Sequence, residues 1–198
     1  MFLIDKPYVS EFFKKTVKDF NIPIVDTESA KKFTLYEGTS LVNEDTAIKQ
    51  YKNNPNTSIY TISENSIGWI SQHLSHNDLP DKIDLFKDKF KFRELTKTLF
   101  PDFYYKKISS NNFTALNFDE VPLPFIIKPT VGFFSMGVYK VSSHHQWLNT
   151  IDLINAEMLQ IKDLYPQQVM GTSDFIIEQI IEGEEFAIDA YFNAEGKA

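Results

Sequence analysis

At 198 residues, 42% hydrophobic and 24% charged, the chain is long enough to bury a core without covalent staples, and having no cysteine it has no disulfide to add. A net charge of −7 argues against a protein whose chief task is to hold nucleic acid. No apolar run reaches the roughly 20 residues of a membrane span, and Met1 to Pro7 lacks the pattern of a signal peptide, so a cytoplasmic protein without a membrane partner is expected.

Phe2 to Ile4 reads as a short strand. Val9, Phe12, Phe13, Val17 and Phe20 then recur at helical spacing, which predicts a helix over 9–20 with these five on its inner face. Strands are predicted at Ile22–Val25, Ser40–Val42 and Ser58–Ile62, and helices at Asp45–Tyr51 and Ser66–Leu74, with a loop at Asn53–Asn56. Alternation of this kind predicts a small α/β layer over residues 1–80. No G-x-G-x-x-G follows the first strand, which argues against a dinucleotide site there.

His76 to Asp81 is polar and turn-rich and reads as a boundary. One helix is predicted from Lys82 to Phe100, with Ile83, Phe86, Phe90, Leu95 and Leu99 on an apolar stripe and Pro101 as its stop. Prolines 122 and 124 deliver the chain into an apolar strand at Phe125. After Val141 a helix is predicted from His145 to about Leu164, carrying Trp147, Leu148, Ile151, Ile154, Met158 and Ile161, and two strands follow at Phe175–Ile181 and Glu185–Phe192. His73, His76, His144 and His145 form no metal pattern; the last two are expected to cap the helix or face water.

Two stretches carry chemistry. In the first, Lys128 ends an apolar strand, so its stem is packed and its ammonium is aimed into the space beyond. Gly132, Ser135 and Gly137 follow, residues that let backbone N–H groups and a hydroxyl approach a phosphate. The spacing of the two glycines imitates a Walker A loop, but Val138-Tyr139 replaces the required Lys-Ser/Thr and no helix follows, which excludes one. Alone, this stretch is either a plain hairpin or a phosphate loop. The second stretch, Asp174 to Asp189, is an apolar strand, a junction containing Glu178, Glu182, Gly183, Glu184 and Glu185, and a further apolar run. Carboxylates in such a junction can accept hydrogen bonds from ribose hydroxyls or an adenine amine, or can form a solvated acidic turn.

Together the two stretches resemble the ATP-grasp superfamily: a lysine-proline strand end, a small-residue loop ending Ser135-x-Gly137-Val138, and a later hinge running Glu178-x-x-Ile181-x-Gly183-x-Glu185. Upstream, Asp88-Lys89-x-x-x-Arg93 resembles the family's helix start. The resemblance covers residues 80 to 198 and implies roles. Lys89 would reach the α-phosphate and Lys128 the phosphates and adenine side, with Gly132, Ser135 and Gly137 in the loop over the β- and γ-phosphates. Glu178 would take the adenine amine, backbone groups of Gln179 and Ile181 the ring edge, and Glu185 the ribose. Arg93, the sole arginine, is expected to be structural. The implied organisation is a pre-ATP-grasp-like α/β domain over 1–80, the N-terminal lobe of the grasp over 81–181, and the start of its C-terminal lobe over 182–198.

The sequence departs from the family in two respects. Phe133 and Phe134 stand where the loop is often Gly or Ser, and the acidic metal ligands of the later lobe are missing before Ala198. The chain is therefore expected to be a portion of a longer protein. The resemblance implies an ADP-forming carboxylate–amine (or thiol) ligase acting through an acyl phosphate, using ATP and Mg²⁺ on a small carboxylate with an amine acceptor, and a homodimer is compatible with it. Catalytic and metal-binding residues are expected beyond Ala198, so residues 1–198 alone would bind nucleotide weakly and turn nothing over. A biotin-carboxylase-like carboxylase and a non-catalytic nucleotide-binding module are the alternatives.

Overall fold

In the computed structural model, which describes residues 1–54, 57–76, 78–161, 170–193, 195 and 197, the chain forms two four-stranded sheets. The first is wholly parallel: β1 (Phe2–Leu3), β2 (Ile24–Asp26), β3 (Leu41–Asn43) and β4 (Tyr60–Thr61) lie in the order β3-β2-β1-β4. Helices α1 (Glu11–Asp19), α2 (Glu44–Asn53) and α3 (Ser66–His73) connect and cover them. Successive strand residues point to opposite faces, so Leu3 and Val25 join a cluster with Ala47, Tyr51, Ile70 and Leu74, while Ile4 and Ile24 join Val9, Val17 and Ala30. Ser10 caps α1 by accepting a hydrogen bond from Phe13 N at 3.1 Å. The inner face of α1 is narrower than its spacing suggests. Val9, Phe13 and Val17 pack inward, whereas Phe12 and Phe20 are exposed.

The long helix expected over 82–100 is instead two helices, α4 (Leu79–Lys87) and α5 (Lys89–Thr96). Asp88 breaks the run. Its backbone is extended at ψ 108°, and its Oδ1 accepts from Phe90 N at 2.9 Å and Lys91 N at 3.2 Å, starting a new helix in the manner of an N-cap. The two halves face different cores. Leu79 and Ile83 of α4 pack on the first sheet, while Phe90 of α5 meets Tyr105 of the second with ring centroids 5.9 Å apart. Phe86, Leu95 and Leu99 of the expected apolar stripe are exposed.

The second sheet is antiparallel, with β5 (Tyr105–Ser109), β6 (Phe125–Pro129), β7 (Tyr139–Val141) and β8 (Asp174–Gln179) in the order β5-β8-β6-β7. Helix α6 (His144–Ile161) closes one face, where Trp147, Ile151, Ile154 and Met158 meet Phe125, Ile127, Phe175 and Ile177. The Trp147 indole N–H donates to the Phe113 carbonyl at 3.0 Å, so the ring is buried without an unpaired donor. Leu148, expected on the inner stripe, is exposed, and His144 lies against Phe118 with centroids 4.4 Å apart. The expected helix end near Leu164 falls outside the described residues.

β8 ends at Gln179 rather than Ile181, and Glu185–Phe192 is not a strand. Among the described residues it pairs with neither sheet, so its backbone groups are left to water, and Phe186, Ile188, Tyr191 and Phe192 are exposed. No helix among the described residues is long and apolar enough to cross a membrane. The fold is mixed α/β, a parallel sheet followed by an antiparallel one.

Candidate functional site

The face of the second sheet opposite α6 carries the charged groups. In the β6–β8 register Ile126 pairs with Glu178 and Lys128 with Ile176, so Lys128 and Glu178 are diagonal neighbours on one face. Lys128 Nζ lies 2.5 Å from Glu178 Oε2. The other oxygen, Oε1, accepts from Arg93 Nε at 2.6 Å, and the guanidinium of Arg93 stacks on the Phe103 ring at 4.2 Å. Glu178 is only 4% exposed. Burial alone would raise its carboxyl pKa, but the hydrogen bonds and charges of Arg93 and Lys128 outweigh that and hold it below the usual value.

Lys89 enters from the start of α5. Its backbone N–H donates to Thr130 O at 2.8 Å and its Nζ to Gly132 O at 3.1 Å, tying the helix start to the loop after β6. Burial, then the neighbouring charges of Lys128 and Lys87, push its ammonium down to about 8, against weaker support from Glu178 and Asp88. Lys128 is paired with Glu178 and Lys87 with Glu64, whereas Lys89 Nζ contacts only a carbonyl among the described residues.

The loop between β6 and β7 is anchored at its base. Thr130 N donates to Asp174 O at 3.0 Å, and Val131 O accepts from Gly171 N at 2.9 Å. Phe134, Ser135 and Gly137 have φ of 52°, 56° and 71°, and Met136 N–Phe133 O and Val138 N–Ser135 O hydrogen bonds turn the tip. Gly137 is required by both conformation and space: a Cβ would lie 2.8 Å from Met158 Cε and 2.9 Å from Pro129 Cγ. At Gly132 the nearest atom to a Cβ would be Met170 Sδ at 3.2 Å. Ser135 is exposed at the tip. The Phe133 and Phe134 rings lie 4.9 Å apart, and together with Pro7, Ile62 and Asn65 they line a cavity of about 280 Å³.

Farther along, Gln179 is fastened to the strand side. Its N–H donates to Tyr104 O at 3.1 Å, and its Oε1 accepts from Tyr104 N at 2.8 Å. Ile181 and Glu185 lie past the end of β8 and are exposed. The sequence-predicted residues therefore fall into two groups. Lys89 contacts Gly132 and Lys128 contacts Glu178, with Ser135 and Gly137 in the loop that follows Lys128. Ile181 and Glu185 make no hydrogen bond or ion pair among the described residues. Arg93 belongs with the first group. The signal for it was its position four residues after Lys89, which puts both on one helix face. Among the described residues no three His, Asp or Glu side chains gather as a metal site.

Residues 121–198 match a family model described as an ATP-grasp domain. No curated protein matches the chain in sequence. Among solved structures it is similar to an L-amino acid ligase from Bacillus licheniformis, at 17% identity and a TM-score of 0.59, over 92% of this chain and 46% of that one. A phosphoribosylamine–glycine ligase from Thermotoga maritima aligns at 13% identity and a TM-score of 0.45, over 92% of this chain and 44% of the other. A D-alanine–D-alanine ligase from Helicobacter pylori aligns at 22% identity and a TM-score of 0.37, over 50% and 26%. The chain thus spans less than half the length of each, and the likeness to the first is one of fold.

Proposed function

We propose, from the premise that residues 121–198 are part of an ATP-grasp domain, that the chain is the ATP-binding portion of an ATP-dependent carboxylate–amine (or thiol) ligase. Fold alone does not carry a function. The observation that supports this reading is that Lys89 binds the Gly132 carbonyl in the β6–β7 loop while Lys128, at the end of the strand leading into that loop, pairs with a Glu178 held ionised.

These groups suit a nucleotide. Lys89 and Lys128 would neutralise phosphate charge; burial, and then the charges of Lys128 and Lys87, lower the pKa of Lys89 in the free protein. Backbone groups and the Ser135 hydroxyl of the exposed loop would add donors. Glu178, fixed by Arg93, would accept from the adenine amine, with Gln179, Ile181 and Glu185 as the remaining adenosine contacts. ATP supplies the phosphoryl group that activates a carboxylate as an acyl phosphate, releasing ADP before the amine displaces phosphate. Magnesium would accompany ATP, and the described residues offer no cluster of ligands for it, so no role above depends on it.

Lys128→Ala in the whole protein tests the reading. A loss of ATP affinity of at least tenfold, and of the thermal shift given by Mg·ATP, is expected. Unchanged affinity would remove Lys128 from the phosphate site. One observation favours the non-catalytic alternative: Phe133 and Phe134 occupy the loop tip, and Phe134 is 81% exposed. Product formation with Mg·ATP, a carboxylate and an amine decides between a ligase and a nucleotide-binding module.

A further inference from the structure

Lys128 and Glu178 are assigned to different ends of the nucleotide, yet in the free protein they hold each other, Nζ to Oε2 at 2.5 Å. Glu178 is buried, and a buried charge that loses its partner is left strongly uncompensated. The lysine can therefore move to a phosphate only if the acid keeps another counter-charge. Arg93 provides one, its Nε donating to the other oxygen, Oε1, at 2.6 Å. The two cations are held differently. The planar guanidinium of Arg93, on α5, is also stacked on the Phe103 ring at 4.2 Å, which fixes it in place. Lys128 carries its ammonium on a flexible stem, one residue before the end of β6, and Glu178 is its only ion-pair partner among the described residues. The arginine is the fixed cation and the lysine the movable one.

We propose that Arg93 is a positioning residue for the nucleotide: it keeps Glu178 paired through Oε1 while Lys128 passes from Oε2 to a phosphate and leaves that oxygen to the adenine amine. The proposal rests on the nucleotide reading above. A single exchange of partners then prepares both ends of the site. The phosphates gain a cation and the adenine gains an acceptor, while the buried carboxylate is never without a counter-charge. The ammonium trades one charge-assisted hydrogen bond, to a carboxylate, for another, to a phosphate. Without Arg93 the acid would have Lys128 as its sole ion-pair partner among the described residues, and phosphate and carboxylate would compete for one lysine.

Calorimetric titrations of the whole protein test this with two ligands, Mg·ATP and inorganic tripolyphosphate, which has the phosphates without the adenine. Arg93→Gln is expected to weaken both at least tenfold. The same change made together with Glu178→Gln is expected to weaken tripolyphosphate less than threefold relative to Glu178→Gln alone, because no buried charge then holds Lys128; the double-mutant cycle isolates this coupling. Equal losses in the two backgrounds would overturn the exchange. So would unchanged affinities in a folded Arg93→Gln protein, the result for an arginine that only supports the fold. Glu178→Gln by itself keeps an acceptor for Arg93 and is expected to tighten tripolyphosphate at least threefold. Equal or weaker binding would overturn the proposal, and this arm decides should Arg93→Gln fail to fold. Lys128→Ala separates the two levels of the argument. If it costs ATP affinity while Arg93→Gln costs none, the nucleotide reading stands and the exchange falls; if it leaves ATP affinity unchanged, both fall.

Discussion

Arg93 Nε lies 2.6 Å from Glu178 Oε1 although 85 residues separate them in sequence. Lys128 holds the other carboxylate oxygen, so one nearly inaccessible acid is shared by two cations from different elements. Removing one member of a buried ion pair leaves charge uncompensated. Arg93→Ala is therefore expected to destabilise the protein by about 3 kcal/mol, the low end of the range for such pairs because Lys128 remains. Arg93→Lys should recover only part of this, since a lysine cannot keep both the planar stacking on Phe103 and the hydrogen bond. Urea denaturation of the three proteins measures it; equal midpoints would mean that the contact contributes nothing.

The same acid gives a pH dependence with a definite sign. The carboxyl of Glu178 is held below its ordinary value of 4.5 in the folded protein, so the folded state binds fewer protons than the unfolded chain as pH falls past that value. Stability from this group is fully present above about 4.5 and is lost as pH falls toward and through the folded pKa. Glu178→Gln should flatten that part of the acid denaturation curve, with the difference between the two proteins shrinking below pH 4.

How far the sequence revealed this site depends on the range of the contacts. The strand ending at Lys128, the hairpin after it and the apolar strand leading to Glu178 were all legible, because alternation and turn residues are local signals. Asp88 was not: an acid inside an apolar periodicity reads equally as a wet helix position or as a cap, and only the turn of the chain toward Thr130 decides. Phe12 and Phe20 fit a helical stripe yet lie outside the face the sheet covers. Glu185–Phe192 has a strand-like pattern, but a strand needs a partner. The Arg93–Glu178 contact joins a helix to a distant strand, a pairing that no local periodicity encodes.

Glycine requirements separate the two ends of the loop. At Gly137 a methyl group meets Met158 and Pro129 below 3.0 Å, and the backbone φ is +71°. Gly137→Ala is expected to cost about 1–3 kcal/mol, combining the left-handed conformation with the clash. At Gly132 the approach is 3.2 Å to a flexible methionine sulfur, without positive φ, so Gly132→Ala should be the milder change. Thermal melting should rank them in that order, and the reverse ranking would mean that the base of the loop is tighter than its geometry shows.

Lys89 offers a test on the occupied site. Its ammonium is pushed down to about 8 in the free protein, chiefly by burial and then by Lys128 and Lys87. Below that pH both folded and unfolded chains carry the proton, and the folded state bears the whole penalty. Between about 8 and the ordinary lysine value of 10.5 the unfolded chain keeps a proton that the folded one has lost, so this group makes stability rise with pH across that window. Lys89→Met should abolish that rise. A phosphate placed beside Lys89 favours the charged form and must raise its pKa, so nucleotide binding at pH 8 should take up a fraction of a proton. Calorimetric titrations of Mg·ATP in two buffers of different ionisation enthalpy would show this as a buffer-dependent heat, which Lys89→Met should lose. Identical heats in both buffers for the unsubstituted protein would mean that the phosphates do not sit beside Lys89.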